Sequence, residues 1–319
     1  MHAYPEKLCL IQTSLASGDF LLDPLAGIDL APVFEEFRRH ELILHGSDYD
    51  LRLFRKAFNF VPERIFDTML ASRLLGIREF GLTNLVFQFL GFALEKGPQK
   101  ANWARRPLTE RMEVYARNDT RHLKSLADLL TGQLREKGRL DWHQEMCGRM
   151  IAEAEVRPVD PNLVWRVKGS HLLTPPGLGA LRELWHWREA EAVAANKPPF
   201  FILSHDLMVR LAAAAAGAAP VAPLLPRHLS PRRRTGVLAS LEHGLAQNHH
   251  PETLRHTSRR QTEPEKRRFR ELETRRDKRA EELGIDPTLI ASRAMLLDLA
   301  RDWAKHAAEL MKWQRELLQ

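Results

Sequence analysis

Three side chains of this sequence, Asp50, Tyr115 and Asp119, have the types and spacing that could support chemistry at a metal ion. Carboxylate oxygens are the ligands that hard divalent cations prefer, and a tyrosine hydroxyl can hydrogen-bond beside them. Tyr115 and Asp119 are four residues apart, so a helix would carry both on one face. The first question is whether Asp50 meets them around a metal.

Each of these residues also has an ordinary structural interpretation. The pattern Tyr-x-x-x-Asp on an amphipathic helix is typical of a core tyrosine beside a solvated carboxylate. Asp50 fits the first turn of a helix, where the helix dipole favours a negative charge. The three residues alone leave both interpretations open, so the elements that would position them have to be considered.

The sequence before Asp50 predicts a strand, a turn and a helix start. Residues 42–44 are apolar and predict a short buried strand, and the His-Gly pair that follows predicts a turn. Ser47 is placed to cap a helix that we expect over residues 47–58. Asp50 would then lie on the first turn of this helix, just beyond the end of the strand.

The sequence before Tyr115 and Asp119 predicts a loop and then a helix. Residues 91–107 have the composition of a loop, which ends at Pro107. Thr109 is placed to cap one long helix that would run to about residue 137. Further elements of this part are predicted as strands over 8–14 and 20–23 and as helices over 30–39, 65–71 and 82–90. Strands with helices packed on them predict an α/β domain over residues 1–137.

The remainder of the chain predicts helices only. We expect a linker over 138–173, a helical domain over 174–248, and a second helical domain over 258–319 that is broken at 284–287. The helices of the first of these domains are predicted over 178–195, 204–216 and 231–246. A polar, histidine-rich tract over 247–260 has the composition of a linker.

The charge of the chain is concentrated in one segment. The net charge is +7, and residues 227–279 hold fifteen Lys or Arg against seven Asp or Glu, so the rest of the chain carries −1. Such a basic segment favours a polyanion as partner, with nucleic acid the first candidate. A solvated, arginine-rich helix surface is the alternative. On charge alone neither is preferred.

Composition also limits the compartment and the class of protein. Two cysteines, Cys9 and Cys147, cannot form a disulfide framework or a four-cysteine zinc site, which favours a reducing cytoplasm. No apolar run approaches the ~20 residues of a membrane span, and the first residues do not read as a signal peptide. We therefore expect a cytoplasmic protein with no membrane contact.

The joint context of the three site residues resembles the ribonuclease D family of 3′–5′ exonucleases, which carry four acidic residues in three motifs and a tyrosine in the third. Asp50 matches the aspartate of the second motif, and Tyr115 and Asp119 match the third motif. Supporting matches are Lys100, Trp103 and residues 106–109 before the third motif, residues 65–68 between the motifs, and residues 4–12 as the strand after the first motif. Residues 184–211 resemble the helical HRDC domain of that family, and residues 283–317 look like a diverged second copy.

This resemblance implies a fold, a chemistry and a substrate. The fold would be an α/β ribonuclease H-like 3′–5′ exonuclease domain, N-terminally truncated, followed by all-α HRDC-type bundles. Asp50 and Asp119 would hold two divalent ions, Mg²⁺ or Mn²⁺, and Tyr115 would orient the attacking water. The substrate would be RNA, with tRNA precursors expected and single-stranded DNA as a further candidate. We expect the protein to act as a monomer.

The resemblance also predicts a departure. The first motif of the family, Asp-x-Glu, lies on a strand that would stand between the predicted strands 8–14 and 42–44. The sequence contains neither this motif nor its strand. We expect that the start of the chain was assigned too far downstream and that the chain as written has little or no activity. The alternative is a non-catalytic nucleic-acid-binding protein that kept the rest of the fold.

Several basic residues are candidate contacts to phosphate groups, because affinity for phosphate requires charge more than sequence. They are Arg106, the cluster Arg232, Arg233 and Arg234, and the cluster Lys266, Arg267 and Arg268. Each cluster is equally compatible with a solvated helix surface.

Overall fold

The computed structural model of this protein describes residues 4–154, 160–253 and 261–319, which fall into two units. The sheet unit contains the described residues of Leu8–Val156 and Arg260–Gln319, and the helical unit contains those of Met1–Lys7 and Arg157–Arg259. Within the described parts of the chain, no helix is both long and apolar enough to cross a membrane.

Four short strands form two separate pairs in the sheet unit. Strand β1 (Ile11–Leu15) pairs antiparallel with β2 (Gly18–Leu22), and β3 (Glu41–Leu44) pairs parallel with β4 (Arg64–Asp67). Among the described residues, β1 and β3 have no hydrogen bonds to each other. One edge of β1 and one edge of β3 therefore form no hydrogen bonds to another described strand. This agrees with the expectation, from the family resemblance, that the strand between them is missing.

Seven helices follow or connect these strands in the first part of the chain. They are α1 (Ala31–Arg39), α2 (Asp48–Phe58), α3 (Thr68–Leu74), α4 (Leu82–Leu90), α5 (Glu110–Arg121), α6 (Leu123–Glu136) and α7 (Leu140–Glu153). The helical unit contributes α8 (Pro175–Ala195), α9 (His205–Ala216) and α10 (Pro231–Leu245). The last segment adds α11 (Glu263–Leu283), α12 (Pro287–Ile290), α13 (Arg293–Arg301), α14 (Trp303–His306) and α15 (Lys312–Leu318).

The predicted helix over 65–71 is wrong in its first half. Ile65 and Phe66 belong to strand β4, where they pair with β3 and are buried. Asp67 then ends the strand and caps α3, because its side chain accepts a hydrogen bond from the Leu70 amide. A short apolar run cannot be assigned to helix or strand by pattern alone, and pairing with β3 decides it here.

The single long helix predicted from residue 109 to 137 is also wrong, because it is two helices that meet at His122. The two helices have different packing partners: α5 lies against β1 and β2, and α6 lies against α3 and α4. At the junction the His122 ring packs edge-on against Phe92, with ring centroids 4.9 Å apart. Neither proline nor glycine marks this junction, so the sequence gives no sign of it.

The linker predicted over 138–173 contains helix α7, so this prediction is wrong as well. Helix α7 packs against β4, and its His143 and Cys147 are buried. Cys147 belongs to a small core with Leu51 and Leu70. Residues 155–159 of the predicted linker lie outside the described residues.

The segment predicted as a separate domain over 258–319 is instead part of the sheet unit; its first residues, 258–260, lie outside the described part of the chain. Its apolar side chains share one core with α3, α4 and α6. The Arg139 guanidinium donates to the carbonyl oxygens of Leu74 (2.6 Å) and Leu283 (2.7 Å), which ties α3 to the end of α11. Gly76 lies so close to Gly284 that a Cβ at residue 76 would be 2.1 Å from the Gly284 oxygen.

The helical unit has a core of its own. Helix α8 packs against both α9 and α10, and the side chains between them include the fully buried Leu181, Leu184, Met208 and Leu211. Ser204 caps α9 and Ser230 caps α10, each by accepting a hydrogen bond from the backbone. These three helices begin and end within three residues of the predicted bounds.

Candidate active site

One cleft of the sheet unit, with a volume of about 600 Å³, is lined by Asp50, Tyr115 and Asp119 together. Asp50 comes from the start of α2, and the other two come from α5, more than sixty residues later. Polar side chains of Gln12 and Asn118 also line this cleft. The three residues that the sequence singles out therefore meet at one place.

Asp50 is positioned by a turn that the buried Asp67 holds. The Asp67 carboxylate accepts hydrogen bonds from the amides of Gly46 (3.2 Å) and Ser47 (2.7 Å) and from the Ser47 hydroxyl (2.7 Å). Ser47 occupies the position before α2 as predicted, but its side chain makes no cap hydrogen bond there. The turn between β3 and α2 is thus fixed from the end of β4, and with it the first turn of α2.

His45 stabilises the same turn through the hydroxyl of Thr68. The Thr68 hydroxyl donates to the Leu44 carbonyl (3.1 Å), so it accepts from His45 Nδ1 at 2.9 Å. Burial lowers the pKa of His45, which keeps the ring neutral at physiological pH. His45 thus supports the strand end through the side chain of Thr68.

Tyr115 and Asp119 are positioned by the start of α5 and the loop before it. Thr109 caps α5 as predicted, accepting a hydrogen bond from the Met112 amide at 3.3 Å. Arg106 fixes the loop, because its guanidinium pairs with Asp23 (2.5 Å) and donates to the Cys9 carbonyl (2.7 Å). This arginine, a candidate phosphate contact in the sequence, is engaged within the fold.

The loop between α4 and α5 also packs directly on the Tyr115 ring. A Cβ added at Gly97 would lie 1.7 Å from Tyr115 Cδ2, so only glycine fits there without displacing the ring. The Trp103 ring lies on the same tyrosine, with centroids 6.0 Å apart. The Tyr115 hydroxyl donates a hydrogen bond to Asp119, so this packing also fixes the donor of that bond.

The two carboxylates of the cleft are half-buried, and the charge of Asp50 acts on Asp119. Burial, and then the charge of Asp67, raises the pKa of Asp50 to about 6. Burial, and then the charge of Asp50, raises the pKa of Asp119 to about 6, although the hydrogen bond from Tyr115 acts in the opposite direction. Burial and the adjacent Asp119 raise the pKa of Tyr115, so the phenol stays protonated. The cleft therefore concentrates negative charge and places a hydroxyl donor beside it.

This arrangement fits a divalent cation. No Lys, Arg or His lies within ion-pair distance of Asp50 or Asp119 among the described residues, so a bound cation would relieve their repulsion. Mg²⁺ is typically held by one or two protein carboxylates, with water and substrate phosphates completing the shell. In the described chain no group of three or more His, Cys, Asp or Glu side chains is placed to hold a metal.

The other predicted phosphate contacts are engaged by partners within their own units. Arg232 and Arg233 bind the buried Glu191, and Arg234 donates to the carbonyl oxygens of Leu229 and Pro226. On α11, Lys266 pairs with Glu263, Arg267 lies 3.7 Å from Glu271, and Arg268 donates to the Ala300 carbonyl.

Sequence reasoning missed the roles of Asp67 and Gly97. Asp67 appears in the sequence only as part of a match to the family, and nothing in the pattern shows that its carboxylate turns back to the amides of residues 46 and 47. Gly97 stands in a loop where glycine is expected for turn geometry. Its contact with Tyr115 becomes visible only when the loop is folded over α5.

Comparisons with known proteins agree with this geometry. A family model described as 3′–5′ exonuclease matches residues 1–135, and an HRDC domain model matches residues 177–216. The chain is 33% identical to a ribonuclease D of Gluconacetobacter diazotrophicus over 216 residues, which is 66% of this chain and 55% of that protein. It is 30% identical to a ribonuclease D of Pseudomonas paraeruginosa over an alignment of 331 positions, which covers 96% of this chain and 84% of that protein.

Among solved structures, the fold is similar to that of Escherichia coli RNase D. The TM-score is 0.76 at 23% identity, with 100% of this chain and 90% of that chain covered. The predicted fold class, an α/β 3′–5′ exonuclease domain followed by helical HRDC-type structure, is therefore confirmed. With 30% identity across nearly the whole chain, this protein belongs to the ribonuclease D family.

Proposed function

We propose that this protein is a 3′–5′ exoribonuclease whose catalytic residues are Asp50, Tyr115 and Asp119. The observation that carries this proposal is the meeting of the three side chains in one cleft, with two half-buried carboxylates that lack a cationic partner in the described structure. The family to which the chain belongs supports the reaction class.

In this proposal the two carboxylates are the protein ligands of divalent cations, two Mg²⁺ or Mn²⁺ ions as the resemblance to the family implies. Bound there, the cations would neutralise charge on the scissile phosphate and favour deprotonation of water. Asp50 and Asp119 orient the incoming phosphodiester through this shared site. Because their pKa values are raised to about 6, each carboxylate is only half ionised at about pH 6 and becomes fully ionised well above that pH.

The proposed role of Tyr115 is to orient the attacking water. Its hydroxyl remains protonated at neutral pH and hydrogen-bonds Asp119, so it can also accept a hydrogen bond from a water in the cleft. Gly97 and Trp103 hold the ring and limit its movement. Tyr115 thus contributes orientation and does not need to transfer a proton.

The finer choice of substrate is also a proposal. The E. coli structure is described as that of an exoribonuclease involved in structured RNA processing. We propose that this chain likewise acts on the 3′ ends of structured RNA, with tRNA precursors as the expected class. A single-stranded DNA of the same sequence is the natural comparison substrate, because it lacks only the 2′-hydroxyl groups and carries thymine for uracil.

The test is cleavage of a 5′-labelled RNA with and without Mg²⁺ or Mn²⁺. Because the sequence lacks the Asp-x-Glu motif, we expect at most slow shortening from the 3′ end. This shortening should require the cation, and Asp119→Asn should abolish it. Asp128→Asn is the matched control, because Asp128 is an exposed aspartate of α6 that pairs only with Lys124. Unchanged cleavage by Asp119→Asn would remove Asp119 from the site, and immediate release of the labelled 5′ nucleotide would contradict the direction.

One observation favours a second function, that of a non-catalytic nucleic-acid-binding protein. In the described residues the cleft offers two carboxylates and no third group placed to hold a metal, whereas the family pattern has four acidic residues. The same assay separates the two functions. A protein that retards the labelled RNA on a gel but leaves it intact at every tested concentration of Mg²⁺ or Mn²⁺ is the binder.

A further inference from the structure

We propose that a basic groove on helix α11 binds the phosphate backbone of RNA, at a distance in sequence from the cleft residues. This inference rests on the proposed function, since it concerns how the body of the RNA is held. The basic groove has a volume of about 660 Å³ and lies within the sheet unit. It is lined by the cations Arg267, Arg270, Arg275, Lys278 and Arg279, together with Glu271, Thr274, Leu317 and Gln319.

The groove is basic because α11 carries apolar side chains on one face and basic side chains on another. Phe269, Leu272 and Ala280 turn towards the main core of the sheet unit. Arg267, Arg270, Thr274 and Lys278 recur at intervals of three or four residues, so they form one stripe on a different face. From residue 267 to residue 279 the helix rises about 18 Å, which spans about five phosphates of one strand at 3.4 Å each.

The charge of the groove is not balanced by its own carboxylates. Glu271 lies 3.7 Å from Arg267, and Glu282 is shared between Arg279 (2.9 Å) and Lys278 (4.0 Å). Among the described residues, no carboxylate lies within ion-pair distance of Arg270. These pairs are exposed, so they are weak and can exchange a carboxylate for a phosphate at little cost.

Arg275 gives the groove a fixed cation. Its guanidinium donates to the carbonyl oxygens of Leu318 (2.6 Å) and Gln319 (2.7 Å), which holds the side chain across α15. A guanidinium with its position set by carbonyl groups keeps its charge and further N–H donors for an anion. Four mobile cations around one fixed cation and a hydroxyl suit a repeating phosphate backbone.

The contrast with the cluster Arg232–Arg234 supports this choice. There the two leading arginines are bound by the buried Glu191, and the third is bound by carbonyl oxygens. The cluster is therefore part of the helical unit's own packing. In the groove, cations outnumber lining carboxylates by five to one, and the surface is open.

The experiment compares long and short RNA in the full chain. The double variant Arg270→Gln/Lys278→Gln removes two charges from the groove. The matched control Arg135→Gln/Lys137→Gln removes two exposed charges from the end of α6, where the described structure shows no ion pair. Binding is measured by fluorescence anisotropy over a series of salt concentrations, and cleavage is measured as kcat and KM on both RNAs.

For an RNA of about 30 nucleotides, we expect the groove variant to bind about 10-fold more weakly, with a log–log salt slope smaller by about 1.4, because each single-strand phosphate contact contributes about 0.7. For an RNA of about 4 nucleotides, kcat and KM should stay unchanged, since such a substrate can occupy the cleft alone. The control variant should match the parent on both.

Three outcomes overturn the proposal. They are equal losses on long and short RNA, an equal loss in the control, and a groove variant whose salt slope matches that of the parent. Polyglutamate that binds the parent but not the groove variant, while the RNA affinity of the two is equal, would assign the groove to an acidic polypeptide instead. Absence of cleavage with a normal length-dependent binding loss would contradict the proposed nuclease function alone and leave the groove standing.

Discussion

In the helical unit, the buried carboxylate of Glu191 accepts hydrogen bonds from Arg232 (2.6 Å) and Arg233 (3.0 Å), whereas in the cleft of the sheet unit no described cation pairs with Asp50 or Asp119. Burial acts to raise the pKa of Glu191, but the two arginines outweigh it and the pKa is lowered. In the cleft the pKa of each aspartate is raised to about 6. A carboxylate that the fold satisfies stabilises the fold, and a pair that it leaves unsatisfied is available to a ligand.

Asp67 shows that burial alone does not make the difference. It is fully buried in the sheet unit, yet its oxygens accept hydrogen bonds from three backbone amides and the Ser47 hydroxyl. Its negative charge is therefore compensated by dipoles and not by a cation. The comparison between units is thus a comparison between carboxylates with partners and carboxylates without them.

Asp50→Asn should give the largest effect. Removing one of the two unsatisfied carboxylates should lower kcat/KM on RNA about 10³-fold, or about 4 kcal/mol of transition-state stabilisation. Asp48→Asn is the control, because Asp48 lies on the same helix, is exposed and pairs with Arg52. Equal activity of the Asp50 variant and the control would show that the unsatisfied pair is not catalytic.

Asp67→Asn should destabilise the sheet unit by about 2–4 kcal/mol, since an amide group would place a donor against the Ser47 amide or the Leu70 amide. The measurement is urea unfolding followed by tryptophan fluorescence. Ser47→Ala removes only one of the bonds to Asp67 and should cost about 1 kcal/mol. Similar losses for both variants would mean that the amide partners of Asp67 contribute little.

Glu191→Gln should destabilise the helical unit by about 1–2 kcal/mol at pH 7, because Gln keeps the shape but loses the charge that binds two arginines. The folded-state pKa of Glu191 is lowered, so this stabilisation is present above the unfolded pKa and is lost as the pH falls through the folded pKa. Hydrogen exchange of α8 measures the change. Asp206→Asn, at an exposed pair with Arg210, is the control.

Asp119→Asn should change the free energy of unfolding in the opposite direction to Glu191→Gln, by a similar or smaller amount. The folded-state pKa of about 6 lies above the unfolded value, so the wild-type carboxylate favours folding below about pH 4 and loses that contribution as the pH rises to 6. In the presence of a chelator, the variant should therefore be about 1–2 kcal/mol more stable than the parent at pH 8 and equal to it near pH 4. A variant that is less stable at pH 8 would contradict the repulsion between Asp50 and Asp119.

The position of the cleft could be predicted from the sequence because its signals are local. A strand, a turn and the start of a helix place Asp50, and the Thr109 cap sets the face of α5 that carries Tyr115 and Asp119. The meeting of the three side chains depends on contacts between segments far apart in the chain, and only the resemblance to a family predicted it. The partners of these residues were not predictable, since Asp67 and Gly97 act through contacts across distant segments.

The wrong predictions of the fold also arise from contacts between distant segments. Strand β4 was assigned to a helix because its pairing with β3 is invisible in four residues of sequence. The break at His122 arises from different packing of α5 and α6, and no residue type marks it. The segment after residue 260 has the helical pattern of an independent domain, but its apolar residues complete a core that begins with α3.

That shared core has a consequence for biosynthesis. Phe269, Ile290 and Trp313 form one wall of the core that also contains Leu74 and Leu130. A nascent chain that has emerged only as far as α10 therefore leaves Leu74 and Leu130 open to water. We expect the sheet unit to acquire its final packing only after the ribosome has delivered α11 to α15.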